Sequence, residues 1–179
     1  MKKNKGITMV ALVITIVVLL IIVGISIGTG SNVIKASQLE NLKTNMLLIK
    51  VKAKEYVENA NFQLGTNFET ADNKETRIAN AKEELKGEEL KDSSIFDNGI
   101  NINQDKLTSD NSNYIYYYKL NTNDLSDMGL SKVDSDDKNG WYIIKYDIKN
   151  LETEIYNTLG FENNGEKYYS LTEMQNINL

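Results

Sequence analysis

The sequence of 179 residues contains no cysteine, no histidine and no proline. Without cysteine there is no disulfide framework, thiolate metal site or cysteine nucleophile. Without histidine, Ser-His-Asp and Cys-His catalysis and most zinc sites are excluded. Without proline, wall-anchor and linker motifs that need this residue are excluded as well. The sequence also lacks a Walker loop, a dinucleotide fingerprint and an Asn-x-Ser/Thr acceptor, so we predict no catalytic residue, cofactor, metal ligand or enzymatic activity.

Charge is distributed unevenly along the chain. No charged residue occurs between Lys5 and Lys35, and residues 7–27 form an uncharged apolar run. Removing Lys2, Lys3 and Lys5 from the 20 basic residues leaves 17 against 25 acidic residues. The chain after its basic start therefore carries about eight net negative charges, which disfavours non-specific binding of nucleic acid.

The apolar run has the length of a membrane span. Its 21 residues would cover roughly 31 Å as a helix, close to the hydrocarbon thickness of a bilayer. Backbone polar groups in lipid must be satisfied within the segment, which predicts a helix. Because the lysines precede the run, the positive-inside rule places residues 1–6 in the cytoplasm and residues 28–179 outside. Cleavage of a signal peptide near Gly28, Gly30 or Ser31 is the alternative.

A glycine stands directly between the basic start and the apolar run. Residues 5–11 read KGITMVA, and the leader up to the glycine is six residues long. This start resembles the class III leader of type IV prepilins and type II secretion pseudopilins, including pilin-like proteins of Gram-positive bacteria. The resemblance implies that a prepilin peptidase cuts after Gly6 and that Ile7 becomes the N-methylated first residue. Glycine suits the cut because it has no side chain to obstruct the protease.

One position departs from the family pattern. Prepilins usually carry glutamate at the fifth residue of the mature chain, where this chain has Ala11. In the family that carboxylate is thought to pair with the N-terminal amine of a neighbouring subunit, since an unpartnered carboxylate in lipid is costly. Ala11 cannot form this pair. The resemblance therefore implies a minor or tip subunit, which has no subunit above it to join.

Beyond the apolar run, the helical pattern resumes with apolar residues at alternating steps of three and four. They are Leu39, Leu42, Met46, Ile49, Ala53, Tyr56 and Ala60. This spacing predicts one stripe on a helix that continues from residue 7 to residue 61. Fewer than four heptads is short for a free coiled coil, so we predict that the protein's own sheet covers the stripe. Binding of the stripe to neighbouring subunits is the alternative.

The sequence of residues 62–179 predicts a globular head that contains a β-sheet. A turn over 62–70 precedes a helix over 70–86 with Thr70 as its N-cap, and residues 88–113 predict a loop with a short strand near 99–102. The remaining elements are strands over 114–120, 141–146, 154–156 and 167–171, a short helix over 123–130 and a hairpin turn at 163–165. This order is similar to heads of Gram-positive pilin-like proteins.

Two features of the head suggest ligand binding. The chain has ten tyrosines, but adjacent strand residues such as Tyr116 and Tyr117 point to opposite faces, so half are predicted to be core. Asp134, Asp136 and Asp137 lie in a segment similar to a calcium loop, yet Lys138 and Lys145 stand where an EF-hand needs oxygen ligands. We predict a solvated hairpin loop here, with a looser calcium site as the alternative.

Together these features predict an α+β protein of the type IV pilin kind, in which a long N-terminal helix packs on a small antiparallel sheet. The predicted segments are a prepilin leader (1–6), a transmembrane half-helix (7–27), an extracellular half-helix (28–61) and the head (62–179). The predicted function is a structural subunit of a pilus or pseudopilus, held in the cytoplasmic membrane and then built into a surface filament. Its predicted partners are other pilin subunits, the prepilin peptidase, the membrane assembly platform and lipid.

Two other functions are also compatible with the sequence. A signal-anchored ectodomain could bind a ligand outside the cell without polymerising. A DNA-uptake pseudopilin would need a local basic patch, for which residues 43–54 are the candidate because they hold four lysines.

Overall fold

A computed structural model describes residues 5–91 and 109–177, and for residues 5–32 it describes the backbone alone. The elements in chain order are α1 (Lys5–Leu64), a 3-10 turn (Phe68–Thr70), α2 (Lys74–Glu83), β1 (Glu88–Glu89), β2 (Ile115–Leu120), α3 (Thr122–Asp127), β3 (Tyr142–Asp147), β4 (Glu152–Asn163), β5 (Glu166–Ser170) and α4 (Leu171–Gln175). The five strands form one antiparallel sheet in the order β1-β2-β3-β4-β5. The predicted α+β class is confirmed, with a helix packed against an antiparallel sheet.

One face of α1 is buried over its last five turns. The buried residues follow steps of three and four and are Met46, Ile49, Ala53, Val57, Ala60 and Leu64. The predicted stripe is wrong at Tyr56, which is half-buried, whereas Val57 is fully buried. Leu42 is also half-buried, and Leu39 is buried. The step from Ala53 is four residues because the helical period is 3.6 and not 3.5.

Polar side chains fix the C-terminal end of α1. The last carbonyl groups of a helix lack partners within the helix. Arg77, the one arginine of the chain, donates from Nη1 to the carbonyl oxygens of Leu64 at 3.2 Å and Thr66 at 3.4 Å. Asn61 donates from Nδ2 to the carbonyl oxygen of Ile148 at 2.8 Å, which ties α1 to the end of β3. The helix end is therefore joined both to α2 and to the sheet.

Tyrosines dominate the sheet face that α1 covers. Tyr118 and Tyr146 meet edge to face, with ring centroids 5.7 Å apart. Tyr142 lies on the same face, and its hydroxyl is hydrogen-bonded to the side chain of Asn45 on α1. Because alternate residues of a strand share a face, residue 116 on β2 joins this layer. The opposite face of the sheet carries a second buried cluster of Leu90, Tyr117, Ile143 and Tyr156.

Several predicted boundaries differ from the structure. The helix predicted over 70–86 is α2, which begins at Lys74 because Thr70 closes the preceding 3-10 turn. The short strand predicted over 154–156 is the twelve-residue β4, which continues past a register shift between Tyr156 and Phe161. The predicted loop after residue 87 begins with the two-residue strand β1.

The helix α4 is missing from the sequence prediction. Ser170 accepts a hydrogen bond from the backbone N–H of Glu173, and the Glu173 carboxylate accepts one from the backbone N–H of Ser170. This reciprocal pair is a capping box, whose Ser-x-x-Glu pattern is readable in the sequence. The apolar residues that follow the cap, Leu171 and Met174, are buried.

Some predictions fall outside the described residues. The predicted leader, apart from its last two residues, and the short strand near residues 99–102 lie there, as do the side chains of the predicted transmembrane run. Where the structure describes side chains as well as backbone, no helix is long and apolar enough to cross a membrane.

Two glycines with left-handed backbone provide a test of the sheet's packing. A Cβ at Gly160 (φ +64°) would lie 2.5 Å from the carbonyl oxygen of Tyr168 and 2.8 Å from the ring of Tyr169. A Cβ at Gly129 (φ +79°) would meet nothing within 4 Å. We expect Gly129→Ala to lower the free energy of unfolding by about 1 kcal/mol through backbone strain alone, and Gly160→Ala by about 3 kcal/mol or more.

Urea unfolding of a fragment of residues 31–179 measures both losses. Equal losses for the two variants would show that β5 does not approach β4 as closely as the distances at Gly160 require.

Candidate interaction surface

The outward side of α1 carries exposed apolar side chains. Within residues 41–64 the exposed fractions are 42 % for Leu47, 45 % for Leu48, 70 % for Val51 and 82 % for Phe62. We call these four residues the outer face of α1. Single exposed apolar residues are common, whereas a row of them on one side of a helix is a candidate contact surface.

The outer face lies opposite the buried face. Val51 is two residues before the buried Ala53, and two residues turn a helix by about 200°. Leu47 and Leu48 lie between the buried Met46 and Ile49. The helix is therefore apolar on two sides within the same turns, and the sheet covers one of them. The sequence prediction of one stripe does not include the outer face, although Leu47 and Val51 have the i, i+4 spacing of residues on one side of a helix.

The lysines of residues 43–54 do not form an unbroken basic patch. Lys50 lies 3.6 Å from the carboxylate of Glu154 on β4, and Lys52 lies 3.9 Å from Glu55. Lys54 is exposed, and Glu58 is exposed one turn further on. Alternating charges beside apolar residues suit a protein surface better than a row of phosphates, which requires several cations of one sign.

The acidic pairs of the α2 region have structural partners. Lys82 is 2.6 Å from Glu89, and Lys119 is 3.3 Å from Glu88. Glu84 accepts a hydrogen bond from Gln63 at 3.0 Å. These carboxylates join α2, β1, β2 and α1.

A shallow groove of about 620 Å³ runs between α2 and the turn after Asp110. It is lined by Lys74, Glu75, Ile78, Ala79, Lys82, Asn111 and Ser112. Lys74 lies over the ring of Tyr114, and Lys82 lies 4.8 Å from the ring centroid of Tyr116. The cations that line the groove are thus already placed against aromatic rings of the protein's own sheet.

The three consecutive tyrosines of β2 are part of the core. Tyr116, Tyr117 and Tyr118 are all at most 6 % exposed. Burial and the nearby Glu89 carboxylate raise the pKa of Tyr116 to about 12, because both disfavour the phenolate. The Tyr116 hydroxyl has no hydrogen-bond partner among the described residues. The prediction that half of these tyrosines are core is therefore an underestimate for this strand.

The acidic loop at residues 134–137 is closed by its own hydrogen bonds. Asp136 accepts from the backbone N–H groups of Lys138 at 2.9 Å and Asn139 at 2.7 Å, and these bonds lower its pKa. Asp137 accepts from the indole N–H of Trp141 at 2.8 Å. Within the described residues, no three carboxylates converge as a metal ion would require. The loop geometry is that of a turn stabilised by aspartate.

The predicted processing residues lie at the start of α1. Residues 5 to 64 are helical, and this range includes Gly6, Ile7 and Ala11. Their side chains are outside the described part of the structure, so cleavage at Gly6 and methylation at Ile7 stay predictions.

Comparison of the chain with protein-family models, with curated protein sequences and with solved structures finds no match.

The unpartnered Tyr116 hydroxyl leads to a prediction about stability. Removing it with Tyr116→Phe should leave the free energy of unfolding unchanged or raise it by up to about 1 kcal/mol at neutral pH, since no hydrogen bond is lost. Tyr142→Phe is the matched control, because its hydroxyl bonds to Asn45 and Asn157 and its loss should cost about 1 kcal/mol.

Tyr116→Phe should also change how the free energy of unfolding depends on pH in alkali. Above pH 10 the unfolded chain ionises its tyrosines, whereas Tyr116 stays protonated in the folded state until about pH 12. The native state then binds more protons, so stability falls as pH rises through this window. Urea unfolding of residues 31–179 between pH 9 and about pH 11.5 should show a smaller loss for Tyr116→Phe. An unchanged loss would mean that the phenol is solvated.

Proposed function

We propose that this protein is a pilin-like subunit, made as a prepilin and assembled into a surface filament or pseudopilus. Residues 7–27 would hold the chain in the cytoplasmic membrane after a prepilin peptidase has cut behind Gly6. The head would lie outside the membrane. Ala11 in place of the family glutamate favours a minor or tip position.

The observation that carries the proposal is the outer face of α1. A helix that only supported its own sheet would be polar on its outward side, as surface helices usually are. Here Val51 and Phe62 are 70 % and 82 % exposed, and both follow the uncharged run on the same helix. An assembly of parallel helices gives this face a partner.

The mechanism is one of assembly and not of catalysis. Apolar side chains of neighbouring helices would be removed from water or lipid in the filament interior, and the acidic heads would form its outer surface. Net negative charge on the heads keeps unassembled subunits apart in solution. Force and energy for extraction from the membrane would come from other proteins.

The first test is the mature N-terminus in the native host. Mass spectrometry of the purified protein should find a peptide that begins at N-methylated Ile7. Gly6→Val should abolish this peptide because its side chain obstructs the peptidase, whereas Met9→Leu, which keeps the run apolar, should not. A peptide that retains Lys5 and Gly6 in the wild type would instead support a signal-anchored ectodomain, and a start near Ser31 would indicate a secreted protein.

The second test concerns the outer face. Val51→Asp places a charge at the centre of the face, and Asn123→Asp places the same charge at an exposed position of α3, outside the face. We expect Val51→Asp to reduce recovery of the protein in sheared filaments by at least about tenfold, the effect of roughly 1.4 kcal/mol per contact, while Asn123→Asp has little effect. Urea unfolding should show both heads to be equally stable. Equal recovery of the two variants would contradict the proposal.

A further inference from the structure

We propose that the carboxylate of Glu173 closes the free edge of β5 and so prevents this strand from pairing with β5 of a second copy. The inference goes beyond the proposed function, because it concerns the sheet of the head alone. It applies equally to a filament subunit and to a protein that never polymerises.

The strand β5 is the last strand of the sheet. In the part of the chain that the structure describes, β5 (Glu166–Ser170) is paired with β4 alone. The backbone N–H and C=O groups on its other side have no ladder partner, and such groups are a template for the strand of another chain. A sheet that stays unassociated needs a feature that blocks this edge.

The backbone groups of β5 alternate in direction along the strand. Asn163 and Glu166 flank a two-residue turn, and the pair that flanks such a turn exchanges backbone hydrogen bonds. Alternate residues of a strand direct their backbone groups to the same side. Tyr168 therefore also faces β4, whereas Lys167 and Tyr169 face the free edge.

Glu173 occupies one of the outward N–H groups. Its Oε2 accepts from the backbone N–H of Tyr169 at 3.0 Å and from that of Ser170 at 3.0 Å. Only the bond to Ser170 belongs to the capping box of α4. In the capping box of α3, the Asp124 carboxylate accepts from the N–H of the N-cap residue Asn121 at 2.9 Å. The bond to Tyr169 is thus additional to what a helix cap requires.

One antiparallel register uses all the outward groups of two β5 edges. Centred on Tyr168, it places Lys167 of each copy opposite Tyr169 of the other, so that both pairs can exchange their N–H···O bonds. The Lys167 ammonium then lies near a tyrosine ring of the second copy, as it already does within one copy, where Nζ is 5.6 Å from the Tyr169 ring centroid. Centring on Lys167 would instead place two lysines opposite each other.

The position of the Glu173 carboxylate is incompatible with that register. The carbonyl oxygen of Lys167 in the second copy would have to accept from the Tyr169 N–H. Glu173 Oε2 already stands 3.0 Å from this nitrogen. Both oxygens are acceptors and carry negative charge, so they repel each other. By symmetry the contact loses one hydrogen bond in each copy and gains two carboxylates.

A single cysteine at residue 168 measures the pairing directly, because the chain contains no cysteine. In the register centred on Tyr168, the two Cα atoms of residue 168 are about 4.5 Å apart, as in any non-hydrogen-bonded pair. This lies within the roughly 4.4–6.8 Å that a disulfide needs. The full-length chain carrying Tyr168→Cys is purified in detergent and oxidised. We expect at least about tenfold more linked dimer when Glu173→Ala is added.

Two variants provide matched controls. Ser170→Ala breaks the bond of the same cap to the Glu173 N–H, 3.1 Å long, and leaves the carboxylate at the edge. It should give no more dimer than Tyr168→Cys alone. Lys167→Pro removes an outward N–H without removing a bond to β4, and it should abolish the additional dimer of Glu173→Ala. Urea unfolding followed by the fluorescence of Trp141, the one tryptophan, checks that each head is folded.

Glu173→Asp is a second way to open the edge, and it keeps the helix cap. Like Asp124 in α3, an aspartate at this position reaches the N–H of the N-cap residue. Its side chain is one methylene shorter, so it does not reach the Tyr169 N–H as well. We expect severalfold more linked dimer than with Glu173, and an unchanged urea midpoint.

Three results would overturn the proposal. The first is a yield of dimer that rises neither with Glu173→Ala nor with Glu173→Asp. The second is an equal rise with Ser170→Ala, which would make loosening of α4 the cause. The third is a rise that survives Lys167→Pro, which would place the contact away from the β5 edge. Because cleavage at Gly6 is measured separately, each of these results leaves the pilin-like function standing.

Discussion

The fit of one apolar stripe of α1 against a layer of tyrosines is the contact on which the head depends. The helix contributes small residues, Ala53 and Ala60, beside larger ones such as Met46, and the sheet contributes bulky rings such as Tyr146. Alternation of small and large side chains across an interface lets the two layers interdigitate without cavities. A larger residue in place of either alanine would push the helix away from the rings. The outward side of the helix does not take part in this packing, so its residues can form another contact.

Polar contacts determine where this packed layer ends. Asn61 and Arg77 satisfy carbonyl groups at the end of β3 and of α1, and Lys149 pairs with Glu69 at 2.9 Å beside them. Exposed ion pairs add little stability individually, whereas hydrogen bonds to otherwise unpaired carbonyl groups avoid a larger penalty. The C-terminal end of α1 is thus fixed by a few hydrogen bonds, while apolar contacts hold the preceding turns against the sheet. This division of roles keeps the helix in register with the sheet.

Much of the fold could be predicted because local patterns and tertiary packing agree. The helical stripe, the hairpin turn at residues 163–165 and the strands rich in tyrosine follow from periodicity and turn chemistry. The full length of β4 could not, because its middle contains Asn157, whose side chain accepts hydrogen bonds from Leu159 and Gly160 across a bulge that no alternation rule encodes. The outer face was missed for a different reason. A prediction of one amphipathic stripe leaves the remaining apolar residues of α1 unassigned. Only the burial of the inner stripe against the sheet shows that the outer face is exposed.

A patch as small as the outer face raises the question of how it could hold copies together. A stable complex in solution usually buries about 1,200 Å² or more, which a few side chains on one helix do not supply. Anchoring in a membrane changes this requirement, because it confines copies to one plane and one orientation before they meet and so raises their effective concentration. In the proposed filament a weak contact would then be sufficient, and the excess of acidic residues on the heads would oppose association of free heads. In the proposed filament, the uncharged N-terminal run would bring the helices into a parallel arrangement, and the outer face would supply a contact between neighbouring copies.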